Sequence, residues 1–417
     1  MRILRLTPAV EKQLLRLRQR RDVAAERVAT RIVNDVRRRG ESAVFAWAKK
    51  LGDLELTRDS VWVSRDEMRA ATHKVSHDVL RAVKHTARNV QRLAEKQLPR
   101  VWSVNVEPGV SIRQIVRPIE TIGCYIPGGH HALVSTLIMT VVPAKVAGVR
   151  RIVVVCPRPN SELLAAADFL GVTEIARIGG AQAIGALAYG TVSVPRVEKI
   201  FGPGNRFVTA AKQLVSSDCA IDLPAGPTEA IVLTSCGNPR WIAADLLAQA
   251  EHAPDACSFL VTTSKMLAKK VLSEIEEQLQ RFPPTNPVHA SIRRTGAIIL
   301  APSLNSACEF VNGFAPEHLS LPRDASTLLK RCRAAGTVFL GPWAAQPLGD
   351  YASGSNHVLP TAGWARRRSG LSAADFVKCI SVQSIGRQGF SRLAEDVQTL
   401  ARAEGLLAHA NAVEVRR

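Results

Sequence analysis

Residues able to carry chemistry crowd into one short run, Gly349-Asp350-Tyr351-Ala352-Ser353-Gly354-Ser355-Asn356-His357-Val358-Leu359-Pro360-Thr361. It combines a carboxylate, a histidine and several hydroxyls with turn residues at both ends, a mixture that packing alone does not explain. Leu247-Ala248-Gln249-Ala250-Glu251-His252 closes a helical pattern begun after Pro239, and Phe314-Ala315-Pro316-Glu317-His318-Leu319 sits where an apolar run breaks. A further run, Ala408-His409-Ala410-Asn411-Ala412-Val413, lies near the C-terminus. Gln249 and His252, three apart at a helix end, are expected to project from one face. With Asp350 and His409 they would make an N/O donor set suited to zinc without a thiolate. Taken alone, Gln249 and His252 read rather as a polar helix C-terminus, where a cationic His is favoured anyway. Glu317 and His318 set an imidazole beside a carboxylate, a proton-transfer pair; alone, they would be an ordinary Pro-Glu-His turn.

The elements that must position these residues come in two styles. From about residue 9 to 100 the chain reads as helices broken by short turns, with Val28, Ile32, Val33 and Val36 at helical spacing and Gly40 as a stop. From Glu120 onward, strand-like runs alternate with helical stretches: 152–156, 174–178, 199–201, 230–233, 259–262, 297–300 and 338–340. Continuous β-branched runs between helices mark parallel strands covered on both faces. The expected fold class is α/β with Rossmann-like layers. Turns at Pro127-Gly128-Gly129 and Pro224-Ala225-Gly226-Pro227 isolate a βαβ module between them. Its Gly202-Pro203-Gly204 lacks the third glycine of the usual dinucleotide fingerprint.

Composition bounds the rest. The 417 residues, 46% hydrophobic, suffice for two sizeable domains. No stretch approaches the roughly 20 apolar residues that span a bilayer, so no membrane partner is expected. The start is Arg-rich but soon carries Glu11, Asp22 and Glu26, and no cleaved leader is expected. Eight dispersed cysteines, at 124, 156, 219, 236, 257, 308, 332 and 379, form no C-x-x-C pair and suit a reducing cytoplasm. The net charge of +19 is what a nucleic-acid binder would carry. Its arrangement argues otherwise: Arg16, Arg18, Arg20 and Arg21 share a helical pattern with Leu14, Leu15 and Leu17, Arg366-Arg367-Arg368 is a short loop run, and no aromatics interleave with either. No nucleic-acid partner is expected; the charge reads as solvated faces or as attraction for an anionic cofactor. His73 and His77, four apart, lack a carboxylate partner, and His85 and His289 stand alone.

The four segments, in order and within a match running from about Ile32 to the end, resemble L-histidinol dehydrogenase, a zinc enzyme family that takes histidinol to histidine with two NAD. The resemblance implies Zn2+, one per subunit, held by Gln249, His252 and Asp350 of one subunit and His409 of its partner. It makes His318 the base in both oxidations and Glu317 the activator of water between them. Zinc would hold the substrate by its imidazole and amino nitrogens, and the reactive aldehyde would stay bound. Substrate contacts fall to Thr228, where the family usually has serine, to Glu404 from the neighbouring subunit, and to Gln249, His252, His318, Asp350 and His409. His357 lies in the same motif, with substrate contact and loop ordering as its two readings. NAD, rather than NADP, is implied at Tyr125, Gln182 and Asn205. Glycine turns that open helices expose backbone amides to phosphate; the plain alternative is tight strand-to-helix connection. One departure is His130-His131 after Gly129, two imidazoles beside the expected nucleotide.

The resemblance also implies a homodimer with shared active sites and a division of the chain. Residues 1–20 would be an N-terminal helical segment, 21–124 with 228–371 a larger discontinuous α/β domain bearing the metal and catalytic residues, 125–227 an inserted nucleotide-binding domain, and 372–417 a C-terminal dimerisation extension. The expected function is the four-electron, NAD-dependent oxidation of L-histidinol to L-histidine, in the cytoplasm. The enzyme rival is a relative acting on another polar alcohol such as a sulfonated diol, against which Glu404, Asp350 and His409 argue; the other rival is a basic nucleic-acid-binding protein.

Overall fold

The computed structural model describes residues 1–18, 22–52, 55–128, 132–224, 226–323 and 325–417. Arg20, Arg21, Gly129, the His130-His131 pair and Ala225 lie outside the described residues.

Two parallel sheets organise the chain. The six-stranded sheet runs, in spatial order, Arg2–Arg5, Ala297–Leu300, Cys257–Thr262, Glu229–Leu233, His318–Leu321 and Thr337–Leu340, with every neighbouring pair parallel. Its central runs are buried on both faces, which is why they read as continuous rather than alternating apolar sequence. Phe259, Phe310, Phe314 and Leu14 fill one side, and Ile242, Leu246, Val271 and Ile298 the other. The five-stranded sheet runs Glu174–Ala176, Arg151–Val155, Thr121–Tyr125, Lys199–Phe201 and Ala220–Ile221, again all parallel.

Two expectations need correction. The N-terminal segment is helical only over Pro8–Arg18; Arg2–Arg5 is an edge strand against Ala297–Leu300. Backbone pairing to a strand almost the whole chain away decides that, not local propensity. The helices assigned with residues 228–371 pack instead on the five-stranded sheet. Val23–Arg39 lays Ile32, Val33 and Val36 against Val153, Ile184 and their neighbours, and Gly185 admits Val36 so closely that an added Cβ would lie 3.1 Å from its side chain. Arg65–Lys74 and His77–Gln97 cover the opposite face through Met68, Val83 and Val90.

A third sheet escaped sequence reasoning. Val377–Ile385 pairs antiparallel with Val110–Pro118, which pairs with Trp102–Glu107. Its outer strands are exposed. The chain ends in the helices Arg387–Ala403 and Leu407–Glu414, joined through Gln398, Ala401 and Ala410. Among the described residues no helix is long and apolar enough to cross a membrane.

Candidate functional site

Glu229–Leu233 and His318–Leu321 are neighbouring parallel strands in which His318 is level with Ala230. Thr228 and Glu317 therefore meet at the N-terminal ends of their strands. The Thr228 hydroxyl donates to Glu317 Oε2 at 2.5 Å, and the Glu229 backbone N–H donates to the same oxygen at 2.9 Å. His318, buried, turns Nδ1 towards the Glu229 carbonyl at 3.3 Å. A carbonyl only accepts, so Nδ1 carries the proton in neutral imidazole and Nε2 keeps its lone pair. Nε2 has no well-directed hydrogen bond and lies 3.3 Å from Asp350 Oδ1.

Burial pushes the Glu317 carboxyl up, against the opposing pull of His318 and the bonds from Thr228 and Glu229. For His318, burial acts downward but is outweighed by the Glu317 charge and then by Asp350, so it sits above the ordinary imidazole value. Asp350 is held below the usual carboxylate range, burial being outweighed by His318. The cluster thus holds a basic imidazole between two carboxylates of opposite tendency, the pattern of an acid/base site.

Gln249 is fully buried at the end of the helix Pro239–Ala250. His252 does not share that helix face as expected. It lies past the last helical residue, in a turn where its N–H donates to Gln249 O at 3.3 Å. Its Nε2 stands 3.9 Å from Asp350 Oδ2, too far for a hydrogen bond. Asp350 comes from the short helix Gln346–Tyr351. His409, by contrast, is exposed on Leu407–Glu414, and Glu404 is exposed at the cap of the preceding helix. Among the described residues no three His, Cys, Asp or Glu side chains gather to hold a metal ion. Gln249, His252 and Asp350 nonetheless fit zinc chemically: they are N/O donors, and the two that face each other do so beyond hydrogen-bond distance.

The run around Asp350 serves mainly to clasp the two sheets' surroundings together. His357 Nδ1 donates to Asp350 O at 2.8 Å, which leaves Nε2 to accept from the Thr136 hydroxyl at 3.2 Å. Burial lowers its pKa and keeps the ring neutral for both bonds. Asn356 donates to Met139 O at 2.7 Å, and Asn89 donates to Ala352 O at 2.8 Å. Gly354, at φ +98°, lies against Asn89, where an added Cβ would meet its carbonyl oxygen at 2.7 Å. Of the two readings of His357, these contacts match loop ordering.

The expected nucleotide residues gather elsewhere, at the C-terminal ends of the five-stranded sheet. Tyr125 ends its strand and its hydroxyl accepts the Gly180 N–H at 3.1 Å, where the helix Gly180–Tyr189 begins. Gln182 is buried in that helix's first turn. Asn205 caps Arg206–Val215, its Oδ1 accepting from Phe207 and Val208 N–H at 3.0 and 3.1 Å. Gly202 takes φ +110° directly over Tyr125, whose carbonyl oxygen an added Cβ would approach to 2.2 Å.

Two features were missed in the sequence. Lys212 and Asp222, both buried, form an ion pair that grips Gly202, Lys212 donating to its carbonyl at 2.8 Å and Asp222 accepting its N–H at 2.7 Å. Gln346, buried, donates to Gln249 Oε1. Neither sits in a recognisable motif, and no spacing signal would have found them.

Comparison with known proteins adds a further line. The sequence matches the family described as Histidinol dehydrogenase over residues 15–417. It is 43% identical to a histidinol dehydrogenase of Aquifex aeolicus, covering 94% of this chain and 92% of the relative. It is 42% identical to a Photorhabdus laumondii protein named as a bifunctional protein of histidine biosynthesis, covering 94% of this chain but 49% of that longer relative. Among solved structures, the histidinol dehydrogenase of Elizabethkingia anophelis matches with a TM-score of 0.93 at 35% identity, covering 100% of this chain and 98% of that one.

Proposed function

The chain belongs to the histidinol dehydrogenase family, and from that premise we propose that its clustered residues oxidise L-histidinol to L-histidine in two NAD-linked steps. The carrying observation is that Thr228, Gln249, His252, Glu317, His318 and Asp350, from four separate segments, are joined by successive contacts, with Glu317 and Asp350 on either side of the His318 imidazole.

In the first step His318 Nε2 takes the hydroxyl proton of the alcohol while the carbinol carbon gives up a hydride, leaving an aldehyde. In the second, Glu317 takes a proton from a water whose oxygen bonds to the aldehyde carbon. The carbonyl oxygen gains the proton that His318 took from the alcohol, and His318, neutral again, accepts the proton of the resulting diol as its C–H leaves as hydride. The sum consumes one histidinol, two NAD+ and one water, and yields one histidine, two NADH and three protons. NAD+, when bound, accepts the hydride in each step. Zinc, when bound, supplies a Lewis-acid centre for the substrate's amino and imidazole nitrogens. Gln249, His252 and Asp350 would hold it, with His409 of a second subunit completing the set and Glu404 contacting substrate across a homodimer. Tyr125, Gln182 and Asn205 would line the nucleotide's approach on the five-stranded sheet, with residues 372–417 as the arm that reaches the partner. The setting is cytoplasmic.

The test is limiting L-histidinol given to the purified, zinc-loaded protein with excess NAD+. Two NADH and one histidine per histidinol are expected. No turnover, with zinc and dimer both verified, overturns the reading in favour of another alcohol.

A further inference from the structure

Gln346 has no part in the reading above, yet it begins a chain of hydrogen bonds whose direction is forced at every link. As the carboxylate that the aldehyde step requires, Glu317 only accepts, so the Thr228 hydroxyl donates to its Oε2 beside the Glu229 backbone N–H. A hydroxyl has one proton. With it spent on Glu317, Thr228 Oγ1 meets the Gln249 amide as an acceptor, and Gln249 turns Nε2 towards it. The Gln249 Oε1 therefore faces the other way, where only a donor is compatible, and Gln346 Nε2 supplies it. The Gln346 backbone N–H lies near the Asp245 carboxylate, where it works against the upward push of burial on that group. Gln346 also stands four residues before Asp350 on one short helix, so the element that delivers Asp350 to His318 delivers Gln346 to Gln249.

We propose that Gln346 is a positioning residue that acts through Gln249 and Thr228 to lock Glu317 Oε2 as an acceptor, leaving Oε1 as the oxygen that receives the water proton in the aldehyde step. The same contact fixes which atom of the Gln249 amide is its oxygen, and so ties the metal-binding glutamine to the water-activating carboxylate. Gln346, Gln249 and Glu317 are buried, at 2%, 0% and 7% exposed, and Thr228 between them is half-buried, so water does not replace a donor lost at Gln249. This rests on the division of labour between Glu317 and His318 proposed above.

The experiment compares the full-length zinc-loaded protein with Gln346→Met, Thr228→Val and the double variant, measuring the alcohol and aldehyde half-reactions separately. Zinc affinity is read in parallel by chelator competition. Gln346→Met is expected to slow the aldehyde step about tenfold and the alcohol step less than about threefold, and to weaken zinc binding about tenfold. The double variant is expected to be no slower in the aldehyde step than Thr228→Val, because both substitutions cut one chain. Equal losses in the two half-reactions, unchanged zinc affinity, or losses that multiply in the double variant would each overturn the proposal. If Gln346→Met does not fold, Gln346→Glu, isosteric but without the amide donor, is held to the same outcomes. Failure of the wild-type protein on L-histidinol would instead strike the functional reading, while the zinc arm would still report on Gln346.

Discussion

The two parallel sheets present opposite ends to their chemistry. On the five-stranded sheet the candidate nucleotide residues gather at the C-terminal ends of strands, where Tyr125 and Gly202 sit beside the N-termini of the helices Gly180–Tyr189 and Arg206–Val215. On the six-stranded sheet Thr228, Glu317 and His318 gather at the N-terminal ends, beside the C-termini of Pro239–Ala250 and Leu304–Phe314. Helix N-termini carry unpaired N–H groups and a partial positive charge, which suits a pyrophosphate; helix C-termini carry carbonyls and a partial negative charge, which suits a metal cation and a protonated imidazole. One architecture thus supplies an anion-favouring and a cation-favouring edge, and the two sets of candidate residues lie one at each. The usual rule that open α/β sheets bind ligands beyond the carboxyl ends of strands describes only the first.

The most severe way to test this separation is to remove the base. His318→Ala is expected to lower kcat in both half-reactions by about 10³-fold while leaving the KM for NAD+ within about twofold, and Glu317→Gln to slow the aldehyde step far more than the alcohol step. Half-reaction kinetics with NAD+ titrations check both, and a large rise in the NAD+ KM of His318→Ala would break the separation. From the other side, Gly202→Ala forces a Cβ onto the Tyr125 carbonyl in a left-handed backbone. It should raise the KM for NAD+ about tenfold and cost roughly 1–3 kcal/mol of stability, with zinc affinity unchanged. The smallest effect belongs to the clasp: His357→Phe removes the bonds to Thr136 and Asp350. It is expected to lower stability by about 1–3 kcal/mol and to affect both KM values modestly, since it joins the surroundings of the two edges. Denaturant unfolding with paired KM measurements decides it.

Legibility in the sequence followed the reach of the forces involved. The β-branched runs of the central strands were readable because burial on both faces imprints itself on consecutive residues. Arg2–Arg5 was not, since two of its four residues are arginine and its pairing with Ala297–Leu300 leaves no local mark. The antiparallel sheet was missed because Trp102, Val104, Ile380 and Val382 are exposed and alternate over no core within this chain. Glu317, His318, Gln249, His252 and Asp350 were found as short polar motifs breaking apolar patterns, whereas Gln346, Lys212 and Asp222 carry no such signal.

Sequence alone determined which residue types are available: a proton-transfer pair at Glu317-His318, N/O donors at Gln249, His252 and Asp350, and a layered α/β pattern to hold them. Tertiary structure decided which atoms face which. Placing Glu317 beside Thr228 depends on the register of two strands some 90 residues apart, and the direction of the Gln346, Gln249 and Thr228 bonds depends on that carboxylate accepting there. Local patterns record burial and turn chemistry, because those act on neighbours in the chain. Hydrogen-bond polarity is set by partners distant in sequence, and it exists only once the strands have paired.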